Sequence, residues 1–182
     1  MCGIFAYIGK KRENIPELVI EGLKKLEYRG YDSFGIAVKK GEDIFIHKEI
    51  GKIGDCEANK LNLPKDSTIA MAHTRWATHG GITKENAHPH STENKDVVII
   101  HNGVLENFDE IKKRLIKNDH KFTSETDTEV IAHLIEEYLE HNDLKKAVEL
   151  ATKEMTGRYA IVAICKKENK IVVARKGSPL IM

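Results

Sequence analysis

The sequence lacks what several classes of protein need. Its 182 residues hold three cysteines, Cys2, Cys56 and Cys165, odd in number and widely spaced, with no CxxC pair. That argues against a disulfide framework and a thiolate zinc site, and it predicts reduced thiols. Charge of one sign is missing too: 29 Lys and Arg face 28 Asp and Glu, for a net charge of +1. Such a balance gives no footprint for nucleic acid and no polybasic stretch for a membrane surface. There is no run of about 18 apolar residues and no basic N-terminal segment followed by an apolar one, so neither a membrane span nor a secretory signal is expected, and a cytoplasmic location is. Internal repeats, low-complexity tracts and long linkers are absent. A hydrophobic content of 41% over this length suits one domain with a sizeable core, residues 1–182.

What is present reads as strands, then helices, then strands. GIFAYIG is a short apolar run bounded by glycines, the pattern of a buried strand, and it puts Cys2 at the strand's tip. From Pro16, the residues Leu18, Val19, Gly22, Leu23 and Leu26 recur at helical spacing up to the YRGYDS turn. IAVKK and DIFIHKEI, divided by Gly41, form a hairpin pattern, and residues 55–62 allow a short helix. TIAMAHTRW and DVVIIHNG are strands that run into polar, glycine-bearing loops, where functional groups commonly sit on a rigid scaffold. One helix follows on Phe108, Ile111, Leu115 and Ile116. A second carries Val130, Ile131, Leu134, Ile135 and Tyr138, with Thr126 to Glu129 as its capping box. A third carries Leu144, Ala147, Val148, Ala151 and Met155. RYAIVAICKK and KIVVARKG close the chain as strands joined by a tight turn at Glu168-Asn169. Both alternating faces of the first are apolar, so it is expected to be covered on both sides, in stacked layers of sheet and helix.

Four polar loops, YRGYDS, HTRWATHGG, HNGVLEN and SETDTE, supply complementary chemical types. Removal of Met1 would leave Cys2 with both a thiol and a free α-amine, a nucleophile beside a base of pKa about 7.7 to 8.0. Attack on an acyl carbon creates an oxyanion, and Asn102 followed by Gly103 offers two adjacent donors for it. Taken alone, Asn102-Gly103 reads as a type I′ hairpin turn. Arg75 and Asp127 are suited to the α-carboxylate and α-ammonium of an amino acid, a guanidinium being matched to a carboxylate in a two-pronged geometry. Equally, Asp127 reads as a first-turn carboxylate at a helix N-terminus, and Arg75 as a solvated or structural charge. Trp76 is suited to covering a ligand or to packing. Nine histidines raise the question of a metal. His88 and His90 flank a proline, no carboxylate completes a recognised ligand spacing, and HExxH is absent, so hydrogen bonds that shape loops are the expected role and no metal is. Cys165 reads as core and Cys56 as a helix residue.

MCGI, LEYRGYDS, AHTRWATHG, NAHPH, HNGVLEN and SETDTEVIAHL, in that order, resemble the class II (N-terminal nucleophile) glutamine amidotransferases. The resemblance runs from Met1 to GSPL, and the YRGYDS and HTRWATHG wording is closest to the amino-sugar branch. It implies an α+β fold, a four-layer α/β/β/α sandwich of two antiparallel sheets between helical layers. It also implies that Cys2 is the nucleophile with its α-amine as base, and that Asn102 and the Gly103 N–H form the oxyanion hole. Arg75 and Asp127 would hold the head group of L-glutamine, assisted by Thr78 and His79, under a loop carrying Trp76. Arg29 and Gly30 match positions that support the nucleophile. The implied reaction is hydrolysis of L-glutamine to L-glutamate and ammonia through a Cys2 thioester, with no cofactor. Phe34 stands where the family has a small residue. The branch's full enzyme continues into a sugar-phosphate-binding synthase half that converts fructose 6-phosphate to glucosamine 6-phosphate. This sequence stops at GSPLIM. It is therefore read as an excised domain whose ammonia acceptor is that half, or else as a free-standing glutaminase subunit. A catalytically silent glutamine sensor or interaction module is the alternative function, and the presence of Cys2, Asn102, Gly103, Arg75 and Asp127 together counts against it.

Overall fold

The computed structural model describes residues 2–77 and 80–182. These described residues form eight strands and four α-helices, with β1 (Gly3–Arg12), α1 (Ile15–Lys24), β2 (Ser33–Lys40), β3 (Asp43–Ile50), β4 (Ser67–Arg75), β5 (His90–Ser91) and β6 (Val97–Leu105) as the first part. α2 (Phe108–Lys117), α3 (Asp127–Leu139), α4 (Leu144–Glu154), β7 (Gly157–Cys165) and β8 (Val172–Lys176) complete it. The strands make two four-stranded antiparallel sheets, ordered β1-β4-β2-β3 and β5-β6-β7-β8.

The period-2 alternation of the strands decides the layering. On β4, Ile69 and Met71 meet Val98, Ile100, Val162 and Ile164 in a core between the sheets. Ala70 and Ala72, one residue out of phase, pack instead against Ile15, Val19, Ile20 and Leu23 of α1. β7 does the same in the second sheet, sending Val162 and Ile164 inward and Ile161, Ala163 and Cys165 toward α3 and α4. This is the expected α/β/β/α sandwich. Thr128 to Ile135 of α3 are all buried, as suits a helix lying on β6 with α2 and α4 at its sides. Phe34, unexplained by the sequence, fills the core beneath α1 at 2% exposure.

Several expected details differ. The helix over 55–62 is only a 3-10 turn at Ala58–Lys60, and Cys56 is a buried residue before it. The capping box fails: Thr126 makes no side-chain cap bond. Glu129 instead accepts from the Thr123 and Ser124 amides at 2.8 and 2.6 Å, and from both their hydroxyls, so it closes the preceding loop rather than the helix end. α4 does have a side-chain cap, Asp143 accepting from the Lys146 amide at 2.8 Å. β7 and β8 are joined over residues 166–171 rather than by a tight turn, because Glu168 turns away to accept the Leu144 amide of α4 at 2.7 Å. Asn102-Gly103 is no hairpin turn either; it lies inside β6, opposite Ala160 and Tyr159 of β7.

Candidate active site

Cys2 precedes β1, the edge strand of the first sheet, and three other segments converge on it. Its Sγ accepts a hydrogen bond from the Trp76 amide at 3.2 Å, just beyond the end of β4. Its carbonyl accepts from the Asn102 side-chain amide at 2.9 Å, from β6 in the other sheet, and from Arg29 Nε at 3.2 Å. The two sheets thus meet at Cys2. Gly30 is needed because a Cβ there would lie 2.7 Å from the Arg75 carbonyl carbon and 2.9 Å from the Trp76 nitrogen. Any side chain would push away the segment that bonds the sulfur. Gly103 is constrained twice, by φ +147° and by a virtual Cβ 1.9 Å from the Arg158 oxygen.

A cavity of about 60 Å³ adjoins the thiol, lined by Cys2, Arg75, Trp76, Gly103 and Asp127 among others. Arg75 is buried and donates to the Gly81 carbonyl at 3.0 Å. Asp127 is the first residue of α3, and its Oδ2 accepts from the Leu105 amide at 2.8 Å, so it anchors β6 to α3 while also facing the cavity. The first-turn reading of Asp127 is thus met, in a side chain that also faces the cavity. Trp76 is 44% exposed and packs its ring on Tyr31 at 5.4 Å. Burial pushes the Cys2 thiol up, against the opposing pull of the Trp76 N–H and the Arg75 charge. Burial thus favours the protonated thiol over the thiolate. Thr78, His79 and Met1 lie outside the described residues.

Sequence reasoning missed the layer beneath these groups. His73 Nε2 lies 2.9 Å from Asn102 Oδ1 and 3.1 Å from the His101 carbonyl, so it carries the proton and fixes the Asn102 amide with Nδ2 toward Cys2. His88 Nε2 and His101 Nδ1 both reach Thr128 Oγ1, at 2.9 and 3.0 Å, and Thr128 donates to Asp127 at 3.4 Å. His73 stacks on His88 with ring centres 4.0 Å apart. A signal for this layer existed: His73 and His101 are polar residues set within otherwise apolar strand runs.

Burial holds these imidazoles neutral. His73 is lowered to about 3, and His88, His90 and His101 are lowered as well. An unfolded histidine takes up a proton near pH 6.5, whereas these do so only at lower pH in the folded chain. Stability therefore falls as pH drops below about 6.5, by up to roughly 1.4 kcal/mol per pH unit for each such group, until the folded value is reached. Melting temperature is expected to fall steeply between pH 7 and 5, above the range in which carboxylates titrate, with more than one proton bound per chain on unfolding. A flat profile over that range would show that the cluster is not buried and neutral.

Residues 46–178 match the glutamine amidotransferase domain family. The chain belongs to this family. Among curated glutamine amidotransferases, glutamine–fructose-6-phosphate aminotransferase (isomerizing) of Thermus thermophilus is 44% identical over 182 residues, all of this chain and 30% of the relative. The enzyme of the same name from Pyrococcus horikoshii is 46% identical over 186 residues, again 30% of its length. This chain thus spans about a third of the relatives it matches. Among solved structures, the glutamine phosphoribosylpyrophosphate amidotransferase of B. subtilis with ADP and GMP superposes with a TM-score of 0.78 at 30% identity, over 96% of this chain and 37% of that one. A structure described as the allosteric regulatory enzyme of purine biosynthesis gives 0.80 at 31%, with the same coverage. The sandwich is the fold of these amidotransferases. No helix among the described residues is long and apolar enough to cross a membrane.

Proposed function

We propose that this chain hydrolyses L-glutamine to L-glutamate and ammonia, and that the ammonia serves a sugar-phosphate-binding synthase half, as the relatives' name implies. One observation carries the reading: a single cavity is lined by a thiol, a guanidinium, a carboxylate and a strand glycine, in Cys2, Arg75, Asp127 and Gly103. Arg75 would grip the α-carboxylate and Asp127 the α-ammonium, with Thr78 and His79 assisting and Trp76 covering the ligand. Cys2 Sγ then attacks the side-chain amide carbon, and its proton passes through the Cys2 α-amine, freed by loss of Met1, to the departing ammonia. Asn102 Nδ2 and the Gly103 N–H take the oxyanion charge, and Arg29 with Gly30 holds the nucleophile's segment. Water, activated by the same amine, opens the thioester and releases glutamate. No step calls on a metal or cofactor. A groove of about 870 Å³ also starts at Cys2, and its lining by Ile4, Ala6, Ile8, Ile171 and Val173 supports that face as the one toward the synthase half.

Glutamate and ammonia release from L-glutamine tests the reading, alongside intact mass after a glutamine-like electrophile, which reports Met1 loss and Cys2 labelling together. A protein shown by mass to lack Met1 that binds glutamine without releasing glutamate would be the silent sensor instead. Asp127→Asn separates recognition from structure, because its amide oxygen can still accept from the Leu105 N–H. KM for glutamine is expected to rise roughly 10- to 100-fold, the equivalent of one hydrogen bond to a charged group, about 1.5–3 kcal/mol. Alkylation by a reagent without an amino-acid head group should be unchanged. Equal losses toward both reagents would make Asp127 purely structural.

A further inference from the structure

Away from this site, the connection between α2 and α3 and the middle of α3 bring together three ligand-type atoms that the proposed reaction does not use. His120 Nδ1 lies 3.0 Å from His133 Nδ1, and each lies 3.4 Å from Glu136 Oε2. We infer that His120, His133 and Glu136 form a structural binding site for a divalent ion of the zinc class. A tetrahedral ion with bonds of about 2.0–2.1 Å has ligand atoms roughly 3.3 Å apart, so the three distances describe one face of that tetrahedron. A water would occupy the fourth corner.

The surrounding groups suit an ion as well. His133 and Glu136, three residues apart, share one face of α3. His133 is 1% exposed, while the His120 and Glu136 side chains, at 16% and 25%, leave an approach from solvent. Glu136 also accepts from Thr92, and His120 Nε2 faces Glu137 Oε1 at 3.8 Å, which Asn118 holds at 2.6 Å. Behind His120 a carboxylate therefore stands on the side where an outer partner orients a ligating imidazole, whereas His133 Nε2 is buried with no hydrogen-bond partner. Two imidazoles with one carboxylate favour zinc over calcium or magnesium, which prefer oxygen alone. Glu136 stands nine residues along α3 from Asp127, roughly 13 Å, and none of the three lines the Cys2 cavity. The ion would therefore tie the segment before Asp127 to α3 without joining the chemistry. This departs from the sequence expectation of no metal, which rested on the absence of a recognised ligand spacing among the nine histidines.

Zinc titration of the chelator-treated Cys2→Ser protein tests the site, the substitution removing the accessible thiol as a competitor. Calorimetry is expected to show one zinc site per chain, with a zinc-dependent rise in melting temperature. His120→Gln and Glu136→Gln, on partly exposed positions, should each fold by circular dichroism and lose the site. Affinity should fall by more than the roughly 10- to 100-fold that loss of an outer-shell partner costs. His141→Gln, on an exposed histidine outside the trio, should bind as the parent does. If the parent takes up no more zinc than the two variants, or all melt alike with and without it, the trio is a hydrogen-bonded cluster and the proposal fails.

Discussion

Replacing Cys2 by serine is expected to leave the fold intact and to lower kcat for glutamine hydrolysis at least about 10³-fold, against the roughly 10⁶-fold lost with a serine-protease nucleophile. The fold should hold because a hydroxyl can still accept from the Trp76 amide, and the Cys2 carbonyl keeps its bonds to Asn102 and Arg29. Chemistry is lost because the nucleophile's proton must be removed at a partly buried position. Burial already pushes the thiol up, and a hydroxyl, far less acidic than a thiol of pKa about 8.5, gives the α-amine almost nothing to act on. Glutamate release, with melting temperature as the control, checks this. A serine variant with wild-type turnover would remove Cys2 from the reaction.

The parts of the fold that a periodic pattern controls were legible. β4, β6 and β7 were found from apolar runs, and β7's two apolar faces correctly required a layer on each side. Such patterns record only what a residue's near neighbours along the chain need. Failures came where a distant partner decided. Asn102-Gly103 has the local signature of a turn, yet pairing with β7 and the bond from Asn102 to Cys2, 100 positions away, hold it extended. Glu129 has the capping-box spacing, but the Thr123 and Ser124 donors outcompete the helix end for its carboxylate. Cys2, at a strand's tip, and Arg75 and Asp127, in polar loops, were singled out as candidates from their residue types, whereas their common cavity exists only once both sheets are stacked. The His73 layer left only a weak signal, two polar residues in apolar strand runs, because the partner that gives His73 its role, Asn102, is 29 residues away.

Asn102→Ala is expected to reduce kcat by roughly 10² to 10³, about 2.7–4 kcal/mol of transition-state stabilisation, with a smaller change in KM. The side-chain amide is not free to wander: His73 Nε2 donates to its oxygen, which fixes Nδ2 toward Cys2. That N–H bonds the Cys2 carbonyl at 2.9 Å, so the same donor has two possible tasks. It can stabilise the oxyanion that forms when Cys2 attacks, or it can simply hold the Cys2 backbone in place. Truncation to alanine leaves Arg29 Nε on the Cys2 carbonyl and the His101 carbonyl for His73, so neither group is stripped of every partner and melting temperature should change little. Alkylation of Cys2 by a simple haloacetamide tells the tasks apart, because displacement at carbon forms no tetrahedral oxyanion. A large fall in kcat with near-normal alkylation assigns Asn102 to the transition state. A parallel fall in both would make it a positioning residue for Cys2, and a stable variant with near-normal kcat would take it out of the mechanism.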